Sequence, residues 1–271
     1  MNCRSAVTAA LLTCVLAACA QTKTALPLPP LDDLLPTPLL LMGEQHDAPE
    51  HQALQLATVQ LLAQRGQLAA LVIEMAEQGR QTTGLPADTG EAQVRASLNW
   101  VADSPGGWAW STYGPVVMAA VHAGVPVLGG NLPRGQMRTA MANEALDGEL
   151  PAAALQQQRD NIREGHCGLL PESQVAPMTR IQLARDQAMA RTALAALQPG
   201  RTVLLVAGNQ HVRRDLGVPR HLPATQAHKV VVALARQAEA ASEAGAADRV
   251  WDTPPRPPRD YCAEMKTQMG K

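Results

Sequence analysis

Two copies of one short pattern carry the residues most suited to chemistry. They are Gly43-Glu44-Gln45-His46, continuing to Asp47, and Gly208-Asn209-Gln210-His211, continuing through Val212-Arg213-Arg214-Asp215. Each follows a short apolar run, so each histidine would stand just beyond the end of a strand. Glycine there lets the backbone turn tightly or approach a ligand, and the histidine three residues on would point into a cleft. A third apolar run ends Ile73-Glu74-Met75, and a fourth leads into Gly129-Gly130-Asn131 with Pro133-Arg134 after it. Two neutral imidazoles with a carboxylate, Glu74 or Glu44, are the ligand set of a divalent transition metal that could activate water for hydrolysis. The plainer alternative is that His46 and His211 are hydrogen-bonded supports that hold loops in shape.

These residues need elements to hold them. Apolar runs at 38–42, 68–75, 126–128, 202–207 and 229–235 read as strands buried on both faces. Segments with helical periodicity lie between them, at 49–65, 113–123, 134–146, 152–164 and 172–197. Strands of that kind alternating with helices predict an α/β fold with a mostly parallel sheet flanked by helices. The run at 202–207 comes late, after three consecutive helical segments, which predicts a helical subdomain inserted at about 135–197. In such sheets ligands bind beyond the carboxyl ends of the strands, where His46, Glu74, Asn131 and His211 all fall.

Composition narrows the class. The chain has 271 residues, 46% hydrophobic and 17% charged, which suits one elaborated globular domain or two small ones. The formal charge is -1 and there is no basic run, which argues against a nucleic-acid partner. Aromatic residues make up only 2% and there is no Phe, yet Trp100, Trp108, Trp110 and Tyr113 lie together. That clustering marks either a flat hydrophobic surface or a packing cluster. There is no Walker loop, GxGxxG fingerprint, serine-hydrolase elbow or CxxCH.

The amino terminus reads as an address. Arg4 precedes an uncharged stretch at 6–17, shorter than the ~20 residues of a bilayer span. It ends Leu16-Ala17-Ala18-Cys19, which resembles the lipobox of bacterial lipoproteins. That resemblance implies a signal peptide at 1–18, a lipidated Cys19 and a membrane held through an N-terminal lipid anchor. An ordinary signal peptide is the alternative. Ala20 in place of Asp implies sorting to the outer membrane, facing the periplasm. The Pro-rich stretch through residue 37 reads as a tether from lipid to globule, and 263–271 as a tail. Export leaves Cys167 and Cys262 in an oxidising compartment, where they would pair in a disulfide or stay as free thiols.

Taken in order, these motifs resemble a known family. The two GxxH segments, Pro49-Glu50-His51, Trp110-Ser111-Thr112-Tyr113-Gly114-Pro115, Asn131-Leu132-Pro133-Arg134, Gln182 with Arg185-Asp186 and Met189-Ala190, and Trp251-Asp252-Thr253-Pro254 with Cys262 are similar to the ChaN-like haem-binding lipoproteins of the Tiki superfamily. The likeness runs from about residue 38 to 262. It implies haem as cofactor, held in one described arrangement as two stacked haems between two protomers. It also implies axial ligation by a tyrosine, a role in iron acquisition, and an outer-membrane haem receptor as partner.

Carried onto this chain, the resemblance makes Tyr113 the candidate ligand, since Tyr261 lies in the tail beside Cys262. A phenolate suits ferric iron, and a nearby arginine or histidine would lower the phenol pKa. Trp108, Trp110, Met118 and Met178 are candidate walls, and Arg134, Arg213, Arg214 and Arg220 candidate propionate partners, because guanidinium forks match carboxylates. His46 and His211 would border the same surface. Two functional readings follow: a haem-binding lipoprotein that works as a homodimer when loaded, or a metal-dependent hydrolase using His46, Glu74 and His211. A lipid-anchored structural protein with a vestigial cleft is the bland third.

Overall fold

The five apolar runs form strands and a sixth joins them. The computed structural model describes residues 30–101, 107–235 and 246–269. Its strands are β1 (Leu39–Glu44), β2 (Leu68–Glu77), β3 (Val127–Asn131), β4 (Thr202–Gly208), β5 (Lys229–Ala235) and β6 (Arg249–Thr253). They form one sheet in the order β3-β2-β4-β1-β5-β6, with every strand pairing parallel. The helices among the described residues are α1 (Pro49–Gln64), α2 (Glu91–Ser97), α3 (Trp110–His122), α4 (Met137–Ala142), α5 (Ala152–Gly165), α6 (Glu172–Ala195), α7 (Asn209–Val212) and α8 (Tyr261–Met269). The fold is the expected α/β class.

Alternate side chains of each strand enter opposite cores, as a period of two requires. Leu40, Met42, Ile73, Leu204 and Val206 meet α1 and α3 on one face, through Leu54, Val59, Val117 and Val121. Leu39, Leu41, Val203 and Leu205 meet Met189, Ala190 and Ala193 of α6 on the other. Each such fully buried leucine or valine contributes roughly 1.5–3 kcal/mol. The inserted helices have a small core of their own, where Leu146, Leu150 and Leu155 pack on Leu183 and Ala184. α6 therefore closes the insertion with one stretch and covers the sheet with its last turns.

Four local expectations need correction. The tether does not extend to residue 37: Leu31 and Leu34 are buried in the main core, and Arg249 forms an ion pair with Asp33. The predicted helix at 134–146 is broken into a 3-10 turn (Arg134–Gln136), α4 and a second 3-10 turn (Glu144–Gly148). Asn143, which takes β-like ψ between them and accepts from the Ala145 N–H, divides the run. β6 has too short an apolar signature to be seen in sequence, because in this edge strand only Trp251 and Thr253 are buried and Asp252 is exposed. The expected tail is mostly α8. Cys262 in its first turn is bonded to Cys167 after α5, with Cα atoms 5.6 Å apart. The signal segment and Cys19 lie outside the described residues.

Strand order places the two GxxH segments side by side, because β1 and β4 are neighbours paired from Leu39–Val203 to Glu44–Gly208. Neither Gly43 nor Gly208 adopts a positive φ. Their reason is closeness: a Cβ on Gly43 would lie 2.5 Å from Asn209 Oδ1 and Val212 Cγ2, and one on Gly208 2.9 Å from His46 Nε2. We expect Gly43→Ala to destabilise the protein by about 1–3 kcal/mol in urea denaturation, as overpacking does. Gly135→Ala, where nothing lies within 4 Å of the added carbon, serves as the control and should stay within about 0.5 kcal/mol of wild type.

Candidate functional site

The carboxyl edge of β1, β4 and β2 carries two polar networks. The first is centred on Glu44, the last residue of β1, which is 2% exposed. Its Oε1 accepts hydrogen bonds from Tyr113 Oη at 2.5 Å and His46 Nδ1 at 2.7 Å. Its Oε2 accepts from Gln52 Nε2 at 2.6 Å and Gln55 Nε2 at 2.5 Å. Gln52 and Gln55 sit three residues apart on the buried face of α1, which aims both at the strand end. A carboxylate only accepts, so His46 donates from Nδ1, and its Nε2 lies toward Glu74 Oε2, 4.0 Å away. The His46 side chain keeps 38% of its surface and packs edge-on against Trp108, with centroids 4.5 Å apart.

The second network runs through Glu74 of β2. Its Oε2 accepts the Gly208 N–H at 2.8 Å, and its Oε1 lies 3.5 Å from His211 Nε2. His211 Nδ1 in turn meets Asp186 Oδ1 of α6 at 2.6 Å. Burial pushes the His211 imidazole down, but Glu74 and Asp186 outweigh it and lift its pKa to about 9. Burial pushes the Asp186 carboxyl up to about 6, with His211 opposing. Burial also pushes Glu74 up, yet His211, His46, the Gly208 N–H and Arg185 together hold it below the ordinary range. The two carboxylates flanking it thus favour the imidazolium form of His211.

Beside these networks lies a cleft of about 270 Å³. Trp100 and Trp108 form one wall, and Asn131, Arg134, Met137 and Arg185 line it with Glu74. The structure thus brings His46, Glu74, His211, Trp108 and Arg134 to one edge, as their positions after the strands suggested.

Other candidates fall elsewhere. Tyr113 is 4% exposed and its hydroxyl is engaged by Glu44; burial and then the Glu44 charge push its phenol well above the ordinary value. Burial and Glu44, rather than a cation, set its ionisation. Trp110 is buried against Trp100 and does not line the cleft. Met118 packs in the core, and neither it nor Met178 lines the cleft. Arg213 is forked onto Asp215, Arg214 onto Asp248, and neither they nor Arg220 line it. His51 is a support, accepting from the Gln45 N–H and meeting Thr253 Oγ1, with burial lowering its pKa.

As a metal centre the set is incomplete. Glu74 lies between the imidazoles, 4.0 Å from His46 Nε2, but among the described residues no group of three or more His, Cys, Asp or Glu stands ready to hold an ion.

Comparison with known proteins places this geometry. The profile of the family described as "Haem-binding uptake, Tiki superfamily, ChaN" matches residues 31–222, well over half of the chain. The chain belongs to this family. Its fold is similar to that of ChaN of Campylobacter jejuni, a structure showing cofacial heme binding, at 21% identity and a TM-score of 0.65, over 80% of this chain and 88% of that one. More distant likenesses are the type III effector HopBA1, at 12% identity and a TM-score of 0.42, covering 80% of this chain and 88% of that one, and a Bacillus cereus protein at 14% and 0.40, covering 75% and 68%. No curated protein sequence matches the chain. Within this ChaN-family chain, sequence reasoning missed Gln52 and Gln55, and it named Asp186 and Trp100 without giving either a role in the site. Polar residues on the otherwise buried stripes of α1 and α6 were the available signal for the first three.

The His211 clasp has a pH signature. The folded pKa of about 9 lies above the ordinary 6.5, so the stability it gives is complete below about 6.5 and is lost as pH rises through about 9. Asp186, raised to about 6 from 3.8, also loses its contribution as pH rises, but that loss is over by about pH 7. We expect the melting temperature to fall between pH 7 and 10 and His211→Gln to flatten that limb. Equal pH slopes in the two proteins would contradict the clasp.

Proposed function

We propose that this chain binds haem at the cleft beside His46 and serves haem uptake as a lipid-anchored protein of the bacterial outer membrane. The observation that carries the reading is the half-exposed His46 ring, held through Nδ1 by Glu44 and packed on Trp108, which itself walls the cleft. A bare metal ion needs three or four protein ligands, whereas haem iron already has four ring nitrogens and needs one. A ligating histidine whose other nitrogen donates to a carboxylate is a common arrangement, and His46 donates to Glu44. Trp100, Trp108 and Met137 offer apolar surface for the macrocycle, and haem would supply its iron as the redox and ligand-binding centre.

Family membership supports the haem reading. Tyrosine ligation, which the resemblance implies, would require Tyr113 to leave Glu44, or else fall to the exposed Tyr261. Tyr113 acts instead as a positioning residue for the Glu44–His46 pair. At about 270 Å³ the cleft is below the roughly 300–1,000 Å³ of pockets that enclose drug-sized ligands, so a haem would project from it. A second copy of the chain is the natural cover, which supports a homodimer when loaded. Cys19 would carry the lipid, and an outer-membrane receptor would exchange haem with the protein.

A hemin titration of the protein from residue 24 tests the site. Wild type should give a saturable Soret band, shifted and weakened in His46→Ala and unmoved in position in Tyr113→Phe. A shift carried by Tyr113→Phe or Tyr261→Phe with His46→Ala silent would return the iron to a tyrosine. Absence of any saturable band would reject haem. For the anchor, intact mass of detergent-extracted protein should show Cys19 acylated and amino-terminal; an unmodified Cys19 would remove the lipoprotein assignment.

A further inference from the structure

Many arginines among the described residues are matched. Arg163 holds Asp160 and Glu172, Arg180 holds Asp147, Arg213 holds Asp215, and Arg256 holds Asp47. Among the described residues, Arg185 and Arg134 make no guanidinium ion pair or side-chain hydrogen bond, as is also true of Arg80, Arg138, Arg191, Arg201 and Arg220, but of these they alone line the cleft. The Arg185 Nε is buried without a partner, as is Asn131 Oδ1 beside it. A buried donor left unpaired costs about 1–3 kcal/mol unless a ligand completes it.

The cleft's own acids do not fill this role. Glu74 is engaged by the Gly208 N–H and His211, and Glu77 accepts the Arg134 backbone N–H at 3.1 Å. The cleft therefore has guanidinium donors to spare on one side and indole faces on the other. Arg80 and Arg191 line a wider groove of about 540 Å³ elsewhere, which has no aromatic wall.

We infer that Arg185, with Arg134 beside it, is the carboxylate-binding end of this cleft, taking the propionate-type carboxylates on the edge of a planar ligand whose face lies along Trp100 and Trp108. The inference rests on the haem reading and names the residues that orient the ligand. It replaces Arg213, Arg214 and Arg220 with a residue on α6, directly before Asp186. Its guanidinium can fork onto a carboxylate through two parallel hydrogen bonds, a geometry lysine lacks. The site would accordingly select macrocycles with free edge carboxylates over neutral ones.

Three probes test this: hemin, hemin dimethyl ester and iron-free protoporphyrin IX, each titrated against wild type, Arg185→Ala and Arg185→Lys. Charge-assisted hydrogen bonds of roughly 1.5–3 kcal/mol predict that wild type prefers hemin to its ester by about 10–100-fold. Arg185→Ala should lose most of that preference, and Arg185→Lys should keep only part of it. Protoporphyrin should weaken in parallel with hemin, because the loss concerns carboxylates and not iron. Hemin binding indifferent both to esterification and to Arg185→Ala would overturn the inference while leaving the haem reading in place. No saturable binding of any probe would overturn the haem reading and the inference together. A melting curve checks that Arg185→Ala folds, and the ester comparison in wild type needs no variant at all.

Discussion

The site depends on one buried carboxylate. Glu44 ends the central strand β1, and its two oxygens receive donors from α1, α3 and the following loop. A carboxylate out of water costs several kcal/mol unless its lone pairs are filled, and here four donors fill them. Satisfying that charge fixes where α1 starts relative to β1, which face Tyr113 turns inward, and how the His46 ring stands. Removing any donor loosens all the others, since they share two oxygens. His46 is thereby held in one tautomer and one orientation before any ligand arrives, the condition for a ligating nitrogen that loses little entropy on binding.

The Glu74 network solves a related problem differently. Glu74 and Asp186 are both buried acids, and the structure neutralises them with a buried imidazolium at His211. That choice affects the neighbouring chemistry. A protonated imidazole has no lone pair to give a metal, so the two GxxH histidines, equivalent in sequence, are unequal in the fold. His46 is half open, with Nε2 only loosely approached by Glu74 at 4.0 Å; His211 is enclosed and held more tightly by Glu74 and Asp186. One motif supplies a half-exposed imidazole and the other supplies charge balance.

Much of the fold was readable from the chain. Strands buried on both faces need uninterrupted apolar runs, and such runs are short, dense and bounded by turns, so β1 to β5 stood out. Edge strand β6 did not, because only Trp251 and Thr253 of its five residues face inward. The site was legible in part for the same reason: residues after strand ends must meet at the carboxyl edge, which placed His46, Glu74 and His211 together. The role of Tyr113 was not legible, because an aromatic next to other aromatics looks alike whether it faces a ligand or a buried acid. What decides between them is Glu44, 69 residues away, and pairing at that distance leaves no local trace. Gly43 and Gly208 were seen correctly as special but for a different reason, close packing between β1, α7 and His46 rather than a left-handed turn.

The inequality of the two histidines also bears on ligand class. A hydrolytic metal centre would need His211 to surrender its proton and Glu74 to turn from the Gly208 N–H, undoing both bonds that keep the buried acids satisfied. Haem asks for neither change. It needs one ligating nitrogen, a flat apolar wall and cations for its edge, and these lie along a single rim from His46 through Trp108 to Arg185. The polar network that occupies Glu74 and His211 is the same one that holds this rim in place, because Glu74 ties β2 to β4 while Asp186 ties α6, and with it Arg185, to His211.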